Sequence, residues 1–389
     1  MSAIAPPTAA AQQQDSSLVP PRVITNPGPE FDDSVRQFQG IPGVERAPGG
    51  RLWATWYSGG DTECAENYVL LVTSADGGET WSPPAFIVDP VPPEIRAFDP
   101  CLWLDPQGRL WLFWAHSRGL RDGRFGVWAM HAADADSATP AWSTPRRLGD
   151  GIMMNKPTVA ANGDWHLPVS IWPPRSAEHP PDEFNPCART GAWDVVSRDN
   201  GATFEYLGKA DDAERRVFDE HMLVERRDGS WWMLSRVIRG IWENVSLDGG
   251  RTWPRELGRF SPIPHINSRF YIRRLASGNL LLVRHHQPPS TEDWPPRSHL
   301  TAFLSTDDGA SWQGGLLLDE RAGVSYPDGT QMPDGTLHVI YDYQRTRDKH
   351  ILLATFTESD VLAGQWQSPR ARARQLVNRA TAVGRDGPA

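Results

Sequence analysis

The chain has 389 residues and 39% hydrophobic content, enough for one large β domain or two ordinary ones with a sizeable core. Its formal charge of -9 is spread along the sequence with no basic, aromatic-interleaved stripe, which argues against a nucleic-acid partner, and no apolar run reaches the roughly 18 residues of a membrane span. The 35 Pro, 34 Gly and 18 Trp are the mix expected of many short strands joined by tight turns and covered by aromatic rings.

In chain order, residues 1 to about 20 are rich in Ala, Pro, Gln and Ser and too poor in large apolar groups to offset the entropy of ordering, so a disordered tail is expected there. The same stretch lacks the basic start and long apolar centre of a secretory signal, and a cytoplasmic location is the corresponding expectation. Cys64, Cys101 and Cys187 are irregularly spaced and fit neither a disulfide framework nor a zinc site; no metal or other cofactor is expected.

From about residue 21 the chain repeats. A turn glycine followed by a strand recurs at Gly50, Gly108, Gly163, Gly229, Gly278 and Gly335, in GGRLW, QGRLW, NGDWH, DGSWW, SGNLL and DGTLH. The spacing, roughly 50 to 65 residues, is that of a four-stranded propeller blade with its loops. The unit is clearest between Phe218 and Trp253, where apolar runs flank the hairpin signal Arg227-Asp228-Gly229 and a third run stops at Asp248-Gly249-Gly250. One such sheet cannot bury both of its faces alone, so neighbours must cover it; the six copies predict an all-β fold, a six-bladed β-propeller over residues 21–368.

A second mark lies later in each unit. Ser74 to Trp81 fits the pattern Ser-x-Asp-x-Gly-x-Thr-Trp, and Ser197 to Phe204, Ser246 to Trp253 and Ser305 to Trp312 follow it with small substitutions. These read as Asp-box turns: the carboxylate accepts backbone N–H groups, glycine permits a positive φ, and the aromatic ring packs between adjacent sheets. The pattern has decayed in the second unit, His131 to Trp142, and in the sixth, Thr357 to Trp366. Residues 369–389 are basic and weakly apolar; a frayed tail is expected there, leaving Arg22 to Thr25 to pair with the last unit and close the ring.

In a propeller the first strand of each blade lines the central channel. Counting about eight to ten residues back from each turn glycine therefore samples one ring of side chains: Gly40-Ile41, Asp99, Asn155-Lys156, Glu220-His221, Ser268-Arg269 and Tyr326. About seven residues forward, the far ends of the second strands bring Tyr57, Ala115, Arg236, His285 and Asp342 to the same face. Buried charges are costly unless paired, so this many convergent ionisable groups point to a site rather than to packing.

These residues resemble the sialidase superfamily, six-bladed Asp-box propellers that cleave terminal glycosides, over about Gln37 to Gly364. Asp219-Glu220 and, one hairpin later, Arg236 look like the segment with a catalytic glutamate and an arginine that grips the substrate carboxylate. Arg297 to Ser305 looks like the strand with another arginine of that clamp, and Val324 to Asp328 like the segment with the nucleophilic tyrosine, here Tyr326. Where the family opens on Arg-Ile-Pro, this sequence has Gly40-Ile41-Pro42. One leg of a three-arginine clamp is then missing unless Lys156 or Arg269 reaches the same place.

The resemblance implies an exo-acting glycosidase, of the exo-α-sialidase type, whose carbohydrate substrate ends in an acidic sugar. A neutral tyrosine suits that substrate, because an anionic sugar repels a carboxylate nucleophile, but with a usual pKa of about 10 it needs a base. Glu220 is the candidate base, Arg236 and Arg297 the carboxylate holders, and Asn155, Lys156, His221, Arg269 and His285 further contacts. The acid for the leaving oxygen is expected from Asp61, in the loop Ser58 to Glu63, with Asp99 as second candidate. Two other readings stand beside this one. Histidines such as His221, His265, His285 and His286 with a tyrosine could act as a uronate lyase, abstracting the C5 proton and expelling the 4-linked sugar. A propeller that binds carbohydrate without turnover is the other.

Overall fold

The computed structural model describes residues 16–120, 125–173, 190–210, 216–288 and 290–383. Among them, six antiparallel sheets follow one another along the chain, each with four strands in sequence order from the inside out, and the first gains a fifth strand at its outer edge. The inner strands are Gln39–Arg46, Ile95–Leu104, Thr158–Val159, Arg216–Glu225, Tyr271–Arg274 and Val324–Gln331, and the first meets the last to close a six-bladed propeller. In blade one, every residue of Leu52–Ser58 and Tyr68–Ser74 is buried. A sheet with a neighbour on each face buries both sets of alternating side chains, which is why these strands read as continuous apolar runs.

Aromatic rings fill the clefts between blades. Trp53 meets Trp142 edge-on at 6.3 Å, Trp103 meets Trp165 at 4.7 Å, and His166 stacks on Trp231 at 3.8 Å. Each buried aromatic contributes on the order of 2–3 kcal/mol by area alone. Four of the turns with the serine–aspartate pattern share one bonding scheme. In the first, Ser74 Oγ donates to Asp76 at 2.7 Å and accepts from Gly78 N at 2.9 Å, while Thr80 N donates to Asp76 at 3.0 Å. The glycine also lets blades approach: at Gly201, with φ of 82°, a Cβ would fall 2.6 Å from the Trp165 ring. In blade six the decayed turn is replaced by a short helix, Glu358–Ala363, closed by a Thr357/Asp360 capping box and by Gly364 in the left-handed conformation.

The chain ends differ from expectation. Residues 1–15 of the expected N-terminal tail lie outside the described residues, and Ser16–Leu18 form a single 3-10 turn. Arg22–Ile24 does not reach the last blade; it pairs with Phe86–Asp89 on the outer edge of blade one. The stretch read as a frayed basic tail instead supplies Arg372–Arg379, the outermost strand of blade six, paired with His350–Phe356. Its arginines face outward while Val377 joins the core cluster of Ile351 and Leu353, so one buried apolar residue suffices to seat a charged edge strand. The seam is fastened by buried Arg36, whose guanidinium donates to Phe31 O at 2.8 Å and to Asp33 and Asn378, each at 2.6 Å.

Candidate active site

In four blades the inner strand slips register at the same place: between Gly40 and Gly43, Phe98 and Cys101, Asp219 and Met222, and Ser325 and Asp328. The bulges hold Ile41, Asp99, Glu220 and Tyr326 at φ of 58°, 49°, 43° and 55°. Positive φ costs such residues about 1–3 kcal/mol each, and a bulge re-aims the side chain it carries. Blades two, four and six thereby direct a carboxyl, a carboxylate and a phenol to one end of the channel.

There Glu220 Oε1 accepts from the Tyr326 hydroxyl at 2.9 Å and from Arg236 Nη1 at 2.6 Å, and the same Nη1 lies 2.9 Å from the Tyr326 oxygen. All three side chains are buried, yet Glu220 Oε2 and Arg236 Nη2 have no hydrogen-bond partner among the described residues. Buried polar atoms are ordinarily satisfied, so these two left open call for a water, an ion or a ligand atom to complete them. Burial, followed by the Glu220 charge, raises the Tyr326 pKa above its ordinary value, while Arg236, Arg297 and Arg345 pull it back. The guanidinium carbons of Arg297 and Arg345 lie 5.1 and 4.2 Å from the Tyr326 ring centre.

Arg297 pairs with no carboxylate among the described residues; its contact is Nη2 to Asn267 O at 3.5 Å. Burial lowers its pKa, and Arg236 and Arg345 push the same way. A cation held like this costs free energy that an anion from outside would recover. Asn267, absent from the sequence reading, ties two of the arginines together: its Oδ1 accepts from Arg236 Nε at 2.8 Å, its carbonyl takes Arg297, and its Nδ2 donates to Asp293 O at 2.8 Å. Arg345 was also missed. It sits on the blade-six loop just past Asp342, the position the count from Gly335 had reached, and forms an ion pair with it at 2.8 Å.

Asp99 is buried at 3% exposure. Burial first, then Glu63 and Glu220, against the pull of Arg96 and Arg345, push its pKa up to about 8, so it carries a proton at neutral pH. Tyr57, on blade one, is fully buried with its hydroxyl unpartnered among the described residues, and burial first, then the Glu63 charge, raises its pKa well above the ordinary value. Asp61 is exposed on its loop, and no hydrogen bond or ion pair among the described residues joins it to the Glu220–Tyr326 cluster.

Lys156, Arg269 and Asn155 lie in the channel but are engaged elsewhere. Lys156 Nζ donates to Val44 O at 2.8 Å and Leu102 O at 2.5 Å and pairs with Glu45 and Asp328. Arg269 Nε donates to Asn155 Oδ1 at 2.7 Å, and Asn155 Nδ2 donates to the carbonyls of Glu220 and His221 at 2.8 and 2.9 Å. Neither cation fills the place left open at Gly40, because blade carbonyls and channel carboxylates already satisfy them; Asn155 braces the bulge that aims Glu220. His221 and His285 each spend a ring nitrogen on a backbone carbonyl, Trp193 O at 2.9 Å and Ser298 O at 2.8 Å. Burial lowers their pKa values to about 4 and about 3. Neither is hydrogen-bonded to Tyr326 or Glu220 among the described residues, so these two of the four histidines named for the lyase reading are engaged outside the cluster.

Residues 50–339 match the family model described as a BNR repeat-like domain. Comparison with curated protein sequences finds no match. Among solved structures, the Hadza microbial sialidase Hz136 superposes with a TM-score of 0.65 at 18% identity, over 85% of this chain and 67% of that one. The intramolecular trans-sialidase of Ruminococcus gnavus, in complex with oseltamivir carboxylate, gives a TM-score of 0.63 at 14% identity, over 87% and 98%. The α-L-arabinanase of Penicillium chrysogenum, with arabinobiose, gives 0.54 at 16% identity, over 83% and 94%. At these identities the likeness is one of fold.

Proposed function

Starting from the fact that the chain belongs to the BNR repeat-like domain family, we propose that it is a glycoside hydrolase that releases a terminal acidic sugar from an oligosaccharide or glycoconjugate. The observation that carries the reading is the mutual contact of Tyr326, Glu220 and Arg236 beside Arg297, which has no carboxylate partner among the described residues. Arg297 and Arg236 hold the sugar carboxylate. The nearly complete burial of Tyr326 and Glu220 suits a chain end rather than a chain interior. Structural neighbours named as sialidases and an arabinanase support a sugar substrate.

In this mechanism the Tyr326 oxygen attacks the anomeric carbon as its proton passes to Glu220, and the anomeric C–O bond to the leaving group breaks. Asp99, protonated at neutral pH, gives its proton to the departing oxygen. The guanidiniums round the phenol stabilise the charge that develops on its oxygen. Water then attacks the tyrosyl glycoside, Asp99 taking the water proton and Glu220 returning one to Tyr326, so configuration is retained. The test is a screen of aryl glycosides of sialic acids, uronic acids and neutral deoxy sugars, with Tyr326→Phe and Glu220→Ala as controls. The reading expects release from an acidic glycoside that both substitutions reduce; release at the parent rate by both variants overturns it.

A further inference from the structure

Gly40 has no positive φ, yet a Cβ added there would fall 2.6 Å from Arg345 Cδ, 2.7 Å from Cγ and 2.9 Å from Nε. Space, not backbone freedom, makes this residue glycine: the Arg345 side chain fills what a side chain at position 40 would occupy. Arg345 is fixed there on two sides. Its carbonyl accepts from Gln39 N at 3.1 Å, its Nε donates to Asp342 Oδ2 at 2.8 Å, and its Nη2 donates to Ser325 Oγ at 3.0 Å. Asp342 is itself pinned by Ile41 N at 2.8 Å and Ser325 Oγ at 2.6 Å. The remaining corner, Nη1, meets Glu63 Oε1 at 3.4 Å, a long contact to a side chain that is 43% exposed. Such a partner is held weakly and exchanges readily for another carboxylate.

We infer that Arg345 is the third member of the anion clamp, delivered by the blade-six loop into the space that Gly40 leaves, and that Glu63 stands in for the sugar carboxylate. The inference rests on the acidic-sugar reading above. Asp342 and Glu220 neutralise two of the three guanidiniums, so Arg297 supplies the net charge while all three supply N–H donors. A carboxylate has four lone-pair sites and can use donors from all of them.

The experiment is titration calorimetry with N-acetylneuraminic acid and D-glucuronic acid as probes and D-glucose as the neutral control. Arg345→Ala is expected to weaken the carboxylated probe that binds by about 10- to 100-fold. Arg345→Lys keeps the ion pair with Asp342 but not the planar fork, and is expected to weaken it as well. Gly40→Arg combined with Arg345→Ala is expected to recover most of the affinity, and Glu63→Gln to tighten binding up to about fivefold. A folded Arg345→Ala protein that binds as the parent does, or a double variant no better than Arg345→Ala, overturns the clamp while leaving the acidic-sugar reading intact. Failure of the parent to bind either acidic probe overturns both.

Discussion

The Tyr326 hydroxyl donates to Glu220 Oε1 at 2.9 Å, joining blade six to blade four across the channel. A phenol raised above its ordinary pKa by burial needs a base at that distance to become a nucleophile. Tyr326→Phe and Glu220→Gln are each expected to lower kcat by roughly 10²- to 10⁴-fold on the best substrate of the screen. Combining them is expected to cost little more than either alone, because the pair acts as one unit. Independent, multiplying losses in steady-state kinetics would count against the pairing.

Asp99 as the acid makes a prediction about leaving groups. Asp99→Asn is expected to slow glycosides with poor leaving groups by about 10²- to 10⁴-fold while sparing those with activated aryl groups, which leave without a proton. Because the proton resides on Asp99 up to about pH 8, kcat is expected to fall as pH rises past that value. Equal loss on all leaving groups would assign the acid elsewhere, and Asp61→Asn in the same assay provides the comparison.

The same carboxyl governs stability. Its folded pKa, about 8, stands above the ordinary 3.8, so its contribution is full below 3.8 and is lost as pH rises to about 8. Asp99→Asn lacks that loss. Thermal unfolding followed from pH 4 to 9 is therefore expected to show the variant gaining on the parent across this window and holding its advantage above it.

Asn267 is a positioning residue, since it touches two arginines and no reacting atom. Asn267→Ala leaves Arg236 Nε without its partner and frees both guanidiniums to drift, which is expected to raise KM about tenfold with a smaller change in kcat. Asn267→Asp, which retains the acceptor, is expected to restore KM in part.

At the turns, hydrogen bonds from Thr80, Thr203 and Ser311 lower the pKa values of Asp76, Asp199 and Asp307 to about 2; at Asp248 burial opposes the shift and Thr252 overcomes it, also to about 2. Depressed carboxylates stabilise the fold above 3.8, and that stability is lost as pH falls through about 2. Asp248→Asn is expected to be less stable than the parent at neutral pH, with the difference closing below pH 3 in an acid titration followed by circular dichroism.

The sequence alone determined the six-fold repeat, because turn glycines and the serine–aspartate turns are local chemistry repeated at blade spacing, each legible within a few residues. It also placed Asp99, Glu220 and Tyr326 on one ring, since a fixed count back from a turn lands on the same bulge in each of their blades. The tertiary structure decided what contact between distant segments settles. Arg345 enters the site against Gly40 from the far end of the chain, Asn267 joins arginines of neighbouring blades, and Lys156 and Arg269 are consumed by carbonyls no spacing reveals. A basic segment becomes a strand because His350–Phe356 offers it an unpaired edge. Repetition fixes where side chains stand along each blade, but which of them meet depends on closing the ring, and that brings together residues with no sequence relation to one another.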